Sequence, residues 1–283
     1  VACPPGADVY RALGAVGLVY QRTDRFEAFP GTDRAQIQGY HDHLRTNADV
    51  TVFCASLLYD DEASTCTHAV YIDHGVDYDR FADAGEDPTS HPADIPVPDG
   101  NRVGFVGGID DHTFDPPFFV DVATRLPDVQ FILVGACSLP EDWCPLPNVH
   151  LLGQRPYDEV PGYMAACDVL IMPWNRSDWI RACNPIKLKE YLAVGRPIVT
   201  TDFYELRNYQ GYVRIETEPE DFARAIRESL EQGADRAHLR ARVEDRTWEA
   251  QSNRMIEELE RVGLTLESGS PRPTARPEVR NAI

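Results

Sequence analysis

Between residues 102 and 215, short apolar segments alternate regularly with stretches that have helical spacing. A short, continuously apolar segment is typical of a strand that is buried on both faces, and parallel strands of this kind need a helix between them. The pattern therefore predicts a parallel, doubly wound α/β sheet, in which ligands bind at the carboxyl ends of the strands. The predicted strands are residues 102–106, 129–134, 149–152, 168–172, 197–200 and 211–215, and the predicted helices include residues 118–126, 160–166 and one that begins at Pro185.

The first part of the chain repeats this pattern on a smaller scale, with a proline-rich connection at residues 84–100. Three strands are too few for an independent doubly wound sheet, and the chain begins at Val1, so we expect an incomplete N-terminal domain. Strands are predicted at residues 16–20, 50–54 and 69–72, with a helix at 33–47. The expected division is an N-terminal domain remnant at 1–83, a linker at 84–101, a second domain at 102–246, a helix crossing back at 247–264, and a disordered tail at 265–283.

The composition excludes several classes of function. A formal net charge of −19 argues against a nucleic-acid partner and against general adhesion to anionic membranes. The seven cysteines are scattered and mostly embedded in apolar runs, which indicates free thiols in a reducing compartment, and no metal site is expected. No run approaches the ~20 apolar residues of a membrane span. We therefore expect a cytoplasmic protein without a transmembrane segment.

The two lysines of the chain, Lys187 and Lys189, fall in one segment that has the features of a helix start. Asn184 is a favourable N-cap, and Pro185 suits the first helical position. A cation in the first turn is unfavourable unless an anion binds there, and free backbone N–H groups favour such an anion. Lys187 is therefore predicted to bind phosphate and Glu190 to accept from a ribose diol, whereas Lys189 is expected to face solvent.

Seven segments with a characteristic order and spacing extend from the first predicted strand to this helix. They are residues 20–24, 47–56, 74–81, 104–108, 147–157, 161–173 and 184–197. Together they resemble the nucleotide-sugar-dependent glycosyltransferases of the GT-B architecture, in particular family 4-like bacterial enzymes of surface polysaccharide assembly. The resemblance implies two Rossmann-like domains facing each other across a cleft, with a nucleoside diphosphate sugar held mostly by the C-terminal domain.

The resemblance also implies roles for individual residues. Asp24 would be the catalytic carboxylate on the acceptor side, and Lys187 would stabilise the departing diphosphate. No cofactor and no metal are expected. The implied donor-binding residues are Gly107, Gly108, Gly153, Gln154, Arg155, Asn184, Pro185, Ile186, Lys187 and Glu190.

One position departs from the family pattern. Many such enzymes carry two glutamates separated by seven residues, and Ala182 stands where the first would be. We expect Asp178 or Arg181 to hold the sugar hydroxyls instead, with His112 and Trp174 as further sugar contacts. The departure leaves the sugar and the stereochemistry of transfer open.

The resemblance implies glycosyl transfer, with retention of configuration, to a polysaccharide, lipid-linked or small-molecule acceptor, and allows peripheral association with the inner face of the membrane. Two alternatives remain. A nucleotide-sugar 2-epimerase shares the architecture but needs acid–base groups at two sugar carbons. A noncatalytic nucleotide-sugar-binding module would be consistent with Ala182 and an incomplete N-terminal domain.

Overall fold

The computed structural model describes residues 1–87, 89, 91–96 and 100–264. The expected tail at 265–283 and part of the expected linker lie outside the described residues. The described chain forms two parallel sheets, one in each half.

The first sheet is short and has the order β1-β2-β3, with both pairs parallel. Helix α1 starts after Asp33, whose carboxylate accepts the N–H of Gln36 and so caps the helix. Strand β1 begins later than predicted, because Asp49 accepts the N–H of Leu18 and Val16 is left exposed. The elements are β1 (Val19–Arg22), α1 (Arg34–Asn47), β2 (Val50–Phe53), α2 (Ser56–Glu62) and β3 (Ala69–Tyr71), with 3-10 helices at Pro4–Asp8, Tyr10–Leu13, Phe26–Ala28 and Ala63–Thr65.

The second sheet contains the strands predicted between residues 102 and 215, and every described pair in it is parallel. Its strands are β4 (Arg102–Val106), β5 (Gln130–Val134), β6 (Val149–Gly153), β7 (Val169–Met172), β8 (Ile198–Thr200) and β9 (Arg214–Ile215). The order β6-β5-β4-β7-β8-β9 reverses direction between β4 and β7. A ligand crevice forms outside the strand ends at such a reversal.

Helices connect these strands, and some return to the first sheet. They are α3 (Tyr78–Glu86), α4 (Pro116–Arg125), α5 (Val160–Ala165), α6 (Asp178–Arg181), α7 (Ile186–Val194), α8 (Pro219–Gln232), α9 (Arg236–Ala241) and α10 (Trp248–Arg261), with a further 3-10 helix at Tyr204–Tyr209. The α/β fold class, with two Rossmann-like units, is confirmed.

The packing divides the chain differently from the predicted boundary at residue 83. Helix α3 packs against α5 and α7, and Val76 and Phe81 belong to the core of the second unit. Helix α10 packs against the first sheet, where Met255 and Leu259 contact the cluster around Val50. The connection between the units therefore precedes α3.

Candidate functional site

The backbone of Gly107, Gly135 and Gly153 forms the floor of the crevice at the reversal between β4 and β7, and is called the glycine floor below. The N–H of Gly107 donates to the carbonyl of Val134 at 2.9 Å, and the N–H of Gly135 donates to the carbonyl of Gly153 at 3.0 Å. A Cβ on Gly135 would lie 1.8 Å from the Gly107 oxygen. Glycine at this position lets the ends of β4, β5 and β6 approach each other backbone to backbone.

Lys187 extends over this floor from the first turn of α7. A Cβ on Gly107 would lie 1.9 Å from the Lys187 ammonium, so glycine is needed to leave room for the side chain. The ammonium lies 4.8 Å from the ring centre of Phe105 and 5.4 Å from that of Trp174. Burial lowers the pKa of Lys187 to about 8. No described residue forms a hydrogen bond or ion pair with the ammonium, so this cation is available to an anion.

The N-terminus of α7 adds backbone donors beside the ammonium. The N-cap is Pro185, and no side chain caps the helix, so the prediction that Asn184 is the cap is wrong. Within the described residues the N–H groups of Ile186 and Lys187 have no acceptor. The same holds for the N–H of Gly108, next to the floor. Free N–H groups and the positive end of the helix dipole favour an anion here.

Glu190 lies one turn further along α7 and is buried, with 8% of its surface exposed. Burial raises the pKa of its carboxyl group. The hydroxyl of Tyr157 donates to Glu190 Oε1 at 3.1 Å, which joins α7 to the loop that follows β6. Sequence reasoning did not assign Tyr157 a role, although it closes the segment that contains Gly153 and Gln154. The second oxygen of Glu190 accepts no hydrogen bond from a described residue and can therefore bind a further donor.

The predicted donor-binding residues in the loop after β6 differ in their exposure and in their partners. Gln154 is exposed. Arg155 donates to the Asp94 carboxylate at 2.7 Å and to the Tyr163 hydroxyl at 2.8 Å, and its guanidinium stacks on that tyrosine. The structure therefore brings Arg155 toward the connecting segment that carries Asp94.

Asp24 follows strand β1 in the first unit, and its main chain is held by a buried arginine. Arg22 has no exposed surface and donates to the Asp24 carbonyl at 2.7 Å. It also donates to both oxygens of Glu27 and of Glu62. His41 contacts Glu62 at 2.8 Å, and the pKa of Glu62, which burial alone would raise, falls to about 2 beside these partners. Sequence reasoning missed this cluster. The feature that could have indicated it is Arg22, a charged residue at the end of a strand.

Asp24 and Lys187 come from different units yet lie in electrostatic range of one thiol. Burial raises the pKa of Cys183; the negative charge of Asp24 raises it further, and Lys187 lowers it. Burial also raises the pKa of Asp24 itself, against the opposing effects of Thr23 and Arg22. Both a carboxylate of raised pKa and a lysine of lowered pKa therefore act on the same buried thiol.

The predicted sugar contacts are spread around the mouth of the cleft. His112 is half exposed and lies 3.3 Å from Asp111, while Trp174 is buried beneath Lys187. Asp178 and Arg181, at the two ends of α6, are exposed. Within the described residues, neither side chain makes a hydrogen bond or an ion pair.

Aromatic rings bridge the two units beside α6. Phe29, from the loop after β1, lies 5.0 Å from the Trp179 ring centre and 5.8 Å from that of His112. Phe26 contacts Trp179 at 6.2 Å. These contacts join the first unit to α6 of the second unit.

Lys189 is fully buried, so the prediction that it faces solvent is wrong. Its ammonium lies 2.9 Å from Asp73 of the first unit and donates to Asn184 Oδ1 at 2.8 Å. Burial alone would raise the pKa of Asp73, but Lys189 holds it below its usual range. Asn184 also donates to Asp73 and to the Cys54 carbonyl. The residue predicted to cap α7 instead fastens it to the first unit.

Two kinds of feature are absent from the residues that the structure describes. No helix among them is long and apolar enough to cross a membrane. They also contain no group of three or more His, Cys, Asp or Glu side chains that could hold a metal ion.

Much of the second unit is similar to a known protein family. Residues 100–232 match the family described as Glycosyl transferases group 1. This stretch contains the glycine floor, Lys187 and Glu190, so the match includes the residues that form the crevice. TuaH of Bacillus subtilis (strain 168), whose name assigns it to teichuronic acid biosynthesis as a glycosyltransferase, is 31% identical over 180 residues. The match covers 60% of this chain and 45% of TuaH, so the chain spans less than half of that relative.

Solved structures share the fold at low identity. HepE of Anabaena, in complex with UDP and glucose, has a TM-score of 0.72 and 16% identity, covering 90% of this chain and 74% of that one. Sucrose-phosphate synthase from Thermosynechococcus elongatus has a TM-score of 0.70 and 17% identity, covering 93% and 72%. The predicted GT-B architecture is confirmed.

Proposed function

We propose that this protein is a glycosyltransferase that moves a sugar from a nucleoside diphosphate sugar to an acceptor hydroxyl. One observation carries the proposal: the Lys187 ammonium has no partner among the described residues and lies at the uncapped N-terminus of α7, above the glycine floor. A desolvated, unpaired cation is unfavourable by itself and becomes favourable when an anion binds. A diphosphate supplies that anion.

The donor would occupy the crevice at the reversal between β4 and β7. Its diphosphate would accept from Lys187 and from the free N–H groups of Ile186 and Gly108, and its ribose would donate to the free oxygen of Glu190. As the bond between the anomeric carbon and the diphosphate oxygen breaks, negative charge grows on the departing diphosphate. Donors already in place stabilise that charge without reorganisation.

The acceptor would approach from the first unit. Its hydroxyl oxygen forms the new bond to the anomeric carbon and gives its proton to Asp24, whose raised pKa suits a general base. Phe29 and Trp179 would limit the entry of water on one side of the cleft. By its resemblance to family 4-like enzymes, we propose that the hydroxyl attacks the same face of the sugar that the diphosphate leaves, so that the anomeric configuration is retained.

The names of similar proteins guide the choice of substrates. The HepE structure contains UDP and glucose, and the name of TuaH refers to teichuronic acid, so we propose a UDP-sugar donor and a glycan or lipid-linked glycan acceptor. Exposed Asp178 and Arg181, with His112, would contact the sugar in place of the glutamate absent at Ala182. Gln154 would contact the base.

Incubation of the full chain with UDP-, GDP- and ADP-sugars tests the proposal. We expect UDP to raise the melting temperature, and a UDP-sugar to be transferred to a glycan acceptor or slowly hydrolysed. Lys187→Ala should lose the reaction while it retains the fold. Conversion of the sugar to its 2-epimer would instead indicate an epimerase, and binding without turnover would indicate a noncatalytic module.

A further inference from the structure

A second cavity, of about 360 Å³, lies between the two units, and no residue of the proposed donor site lines it. Its walls come from α2 and the end of β3 in the first unit. The second unit contributes the 3-10 helix Tyr204–Tyr209 and two arginines, Arg242 and Arg246. The buried side chains of Asn184 and Lys189 cross between the units next to this region, where they bind Asp73.

The carboxylates in the cavity wall already have partners. Asp60 pairs with Arg207 at 2.6 Å, and Asp73 pairs with Lys189 at 2.9 Å. Glu205, which is 1% exposed, accepts the N–H of Ser56 at 2.7 Å and the Tyr71 hydroxyl at 3.0 Å, and also binds the Ser56 hydroxyl and Asn208. The acceptors of the wall are therefore largely satisfied.

The groups that remain unsatisfied are donors. Arg242 donates through Nε and Nη2 to the carbonyl of Asn208, at 3.3 and 3.1 Å, and no described carboxylate pairs with it. Its guanidinium stacks on Tyr209, 4.7 Å from the ring centre, and its Nη1 makes no hydrogen bond with any described residue. Tyr209 is 1% exposed, and its hydroxyl makes no hydrogen bond with any described residue. Arg246 lies 3.6 Å from Asp73, too far for a strong pair.

The charge of this region favours an anion. Lys189, Arg207, Arg242 and Arg246 face three carboxylates, those of Asp60, Asp73 and Glu205. Asp245, which also contacts Arg246 at 3.2 Å, is 75% exposed and is therefore screened by solvent. A planar guanidinium that is stacked on a ring and has a free edge is suited to a carboxylate or a phosphate.

We propose that this cavity is a second ligand site, which binds a carboxylate or phosphate group through Arg242, Arg246 and the Tyr209 hydroxyl. Its volume accommodates a molecule of monosaccharide size. Because both units form its walls, a bound anion stabilises the same contact between the units that Lys189 and Asn184 make with Asp73. The site is separate from the proposed donor site and does not depend on the proposed function.

Thermal shift and calorimetry with inorganic phosphate and with acetate test the site, at constant ionic strength against chloride. The full chain carries Lys187→Ala in every arm, so that phosphate at the donor site does not contribute. We expect a saturable rise in melting temperature that Arg242→Gln abolishes. Tyr209→Phe removes only an unpartnered hydroxyl, so the fold should persist while phosphate or acetate binds about fivefold more weakly, by the net worth of one hydrogen bond.

Arg224→Gln on α8 is the matched control, since Arg224 is 59% exposed and pairs with Asp221 outside the cavity. It should leave the shift unchanged. The proposal is overturned if neither anion produces a saturable shift, or if Arg242→Gln and Tyr209→Phe both respond as the parent chain does. A Tyr209→Phe variant with weakened binding supports the site even if Arg242→Gln fails to fold.

Discussion

Lys187 and Lys189 lie two positions apart on one helix and have opposite surroundings. Lys187 faces the cleft, has a pKa lowered to about 8 by burial, and has no acceptor among the described residues. Lys189 lies between the two units and holds Asp73 at 2.9 Å and Asn184 at 2.8 Å, so its pKa is raised although burial alone would lower it. The same residue type therefore has one position suited to binding a ligand and another suited to holding the structure together.

The different surroundings of the two lysines show that α7 connects the proposed donor site with the first unit. The first turn of α7 carries both Lys187, the residue proposed to bind phosphate, and Lys189, which contacts Asp73 of the first unit. Because a rigid helix carries both, movement of the first unit would displace Lys187 relative to the glycine floor. Separate changes at the two lysines distinguish binding from assembly.

The largest effect is expected for Lys189→Met. The change leaves Asp73 buried without its cation, which costs about 3–5 kcal/mol for a broken buried pair. Denaturant unfolding of the full chain measures this free energy. Asp73→Asn in the same chain should recover part of the loss, because no unpaired charge then remains. A loss below about 1 kcal/mol, the usual value for an exposed pair, would contradict the structural role of Lys189.

Lys187→Ala should show the opposite profile. We expect turnover to fall by roughly 100-fold or more, as when one preorganised donor is removed from a developing anion. The free energy of unfolding should stay unchanged or increase, because a desolvated and unpaired charge is removed. Lys187→Arg should also be impaired, since the glycine floor leaves no space for a planar fork. Turnover equal to that of the unaltered chain would remove Lys187 from the mechanism.

The pH dependence of donor binding should report the lowered pKa of Lys187. The ammonium is charged below a pH of about 8 and neutral above it, and only the charged form attracts the diphosphate. The kcat/KM for the donor should therefore fall about tenfold between about pH 7 and about pH 9. Lys187→Ala serves as the control and should lack this step. A flat profile in the unaltered chain would show that another group binds the phosphate.

The smallest effect is expected for Tyr157→Phe. Removing the hydroxyl that donates to Glu190 should weaken UDP binding by about fivefold, the net worth of one hydrogen bond. Calorimetry with UDP measures the change. The fold should persist, because Tyr157 is 42% exposed and the change removes only its hydroxyl. An equal loss with a nucleotide that lacks the ribose diol would separate Tyr157 from ribose binding.

Much of the fold could be predicted from local sequence. Apolar runs such as residues 169–172 are buried along their whole length, and the glycines at the carboxyl ends of β4, β5 and β6 lie where the pattern placed them. Parallel strands require these runs, so their number and succession specify a doubly wound sheet. Lys187 could also be placed at a helix start, because the signal of Pro185 is local.

The surroundings of the side chains could not be predicted in the same way. The solvent-facing position expected for Lys189 assumed that α7 has an exposed face, yet every residue from 188 to 194 is buried. Asn184 is a good cap in isolation, but Asp73 and the Cys54 carbonyl of the first unit bind its side chain instead. The cluster around Arg22 likewise joins residues that are distant in sequence.

The sequence by itself determined the type and succession of the strands and helices, because burial on both faces leaves a local apolar pattern. Only the tertiary structure decided which lysine has a carboxylate partner and which remains available to a ligand. The reason is physical: the free energy of a charge depends on the groups that replace its water, and packing between distant segments supplies those groups.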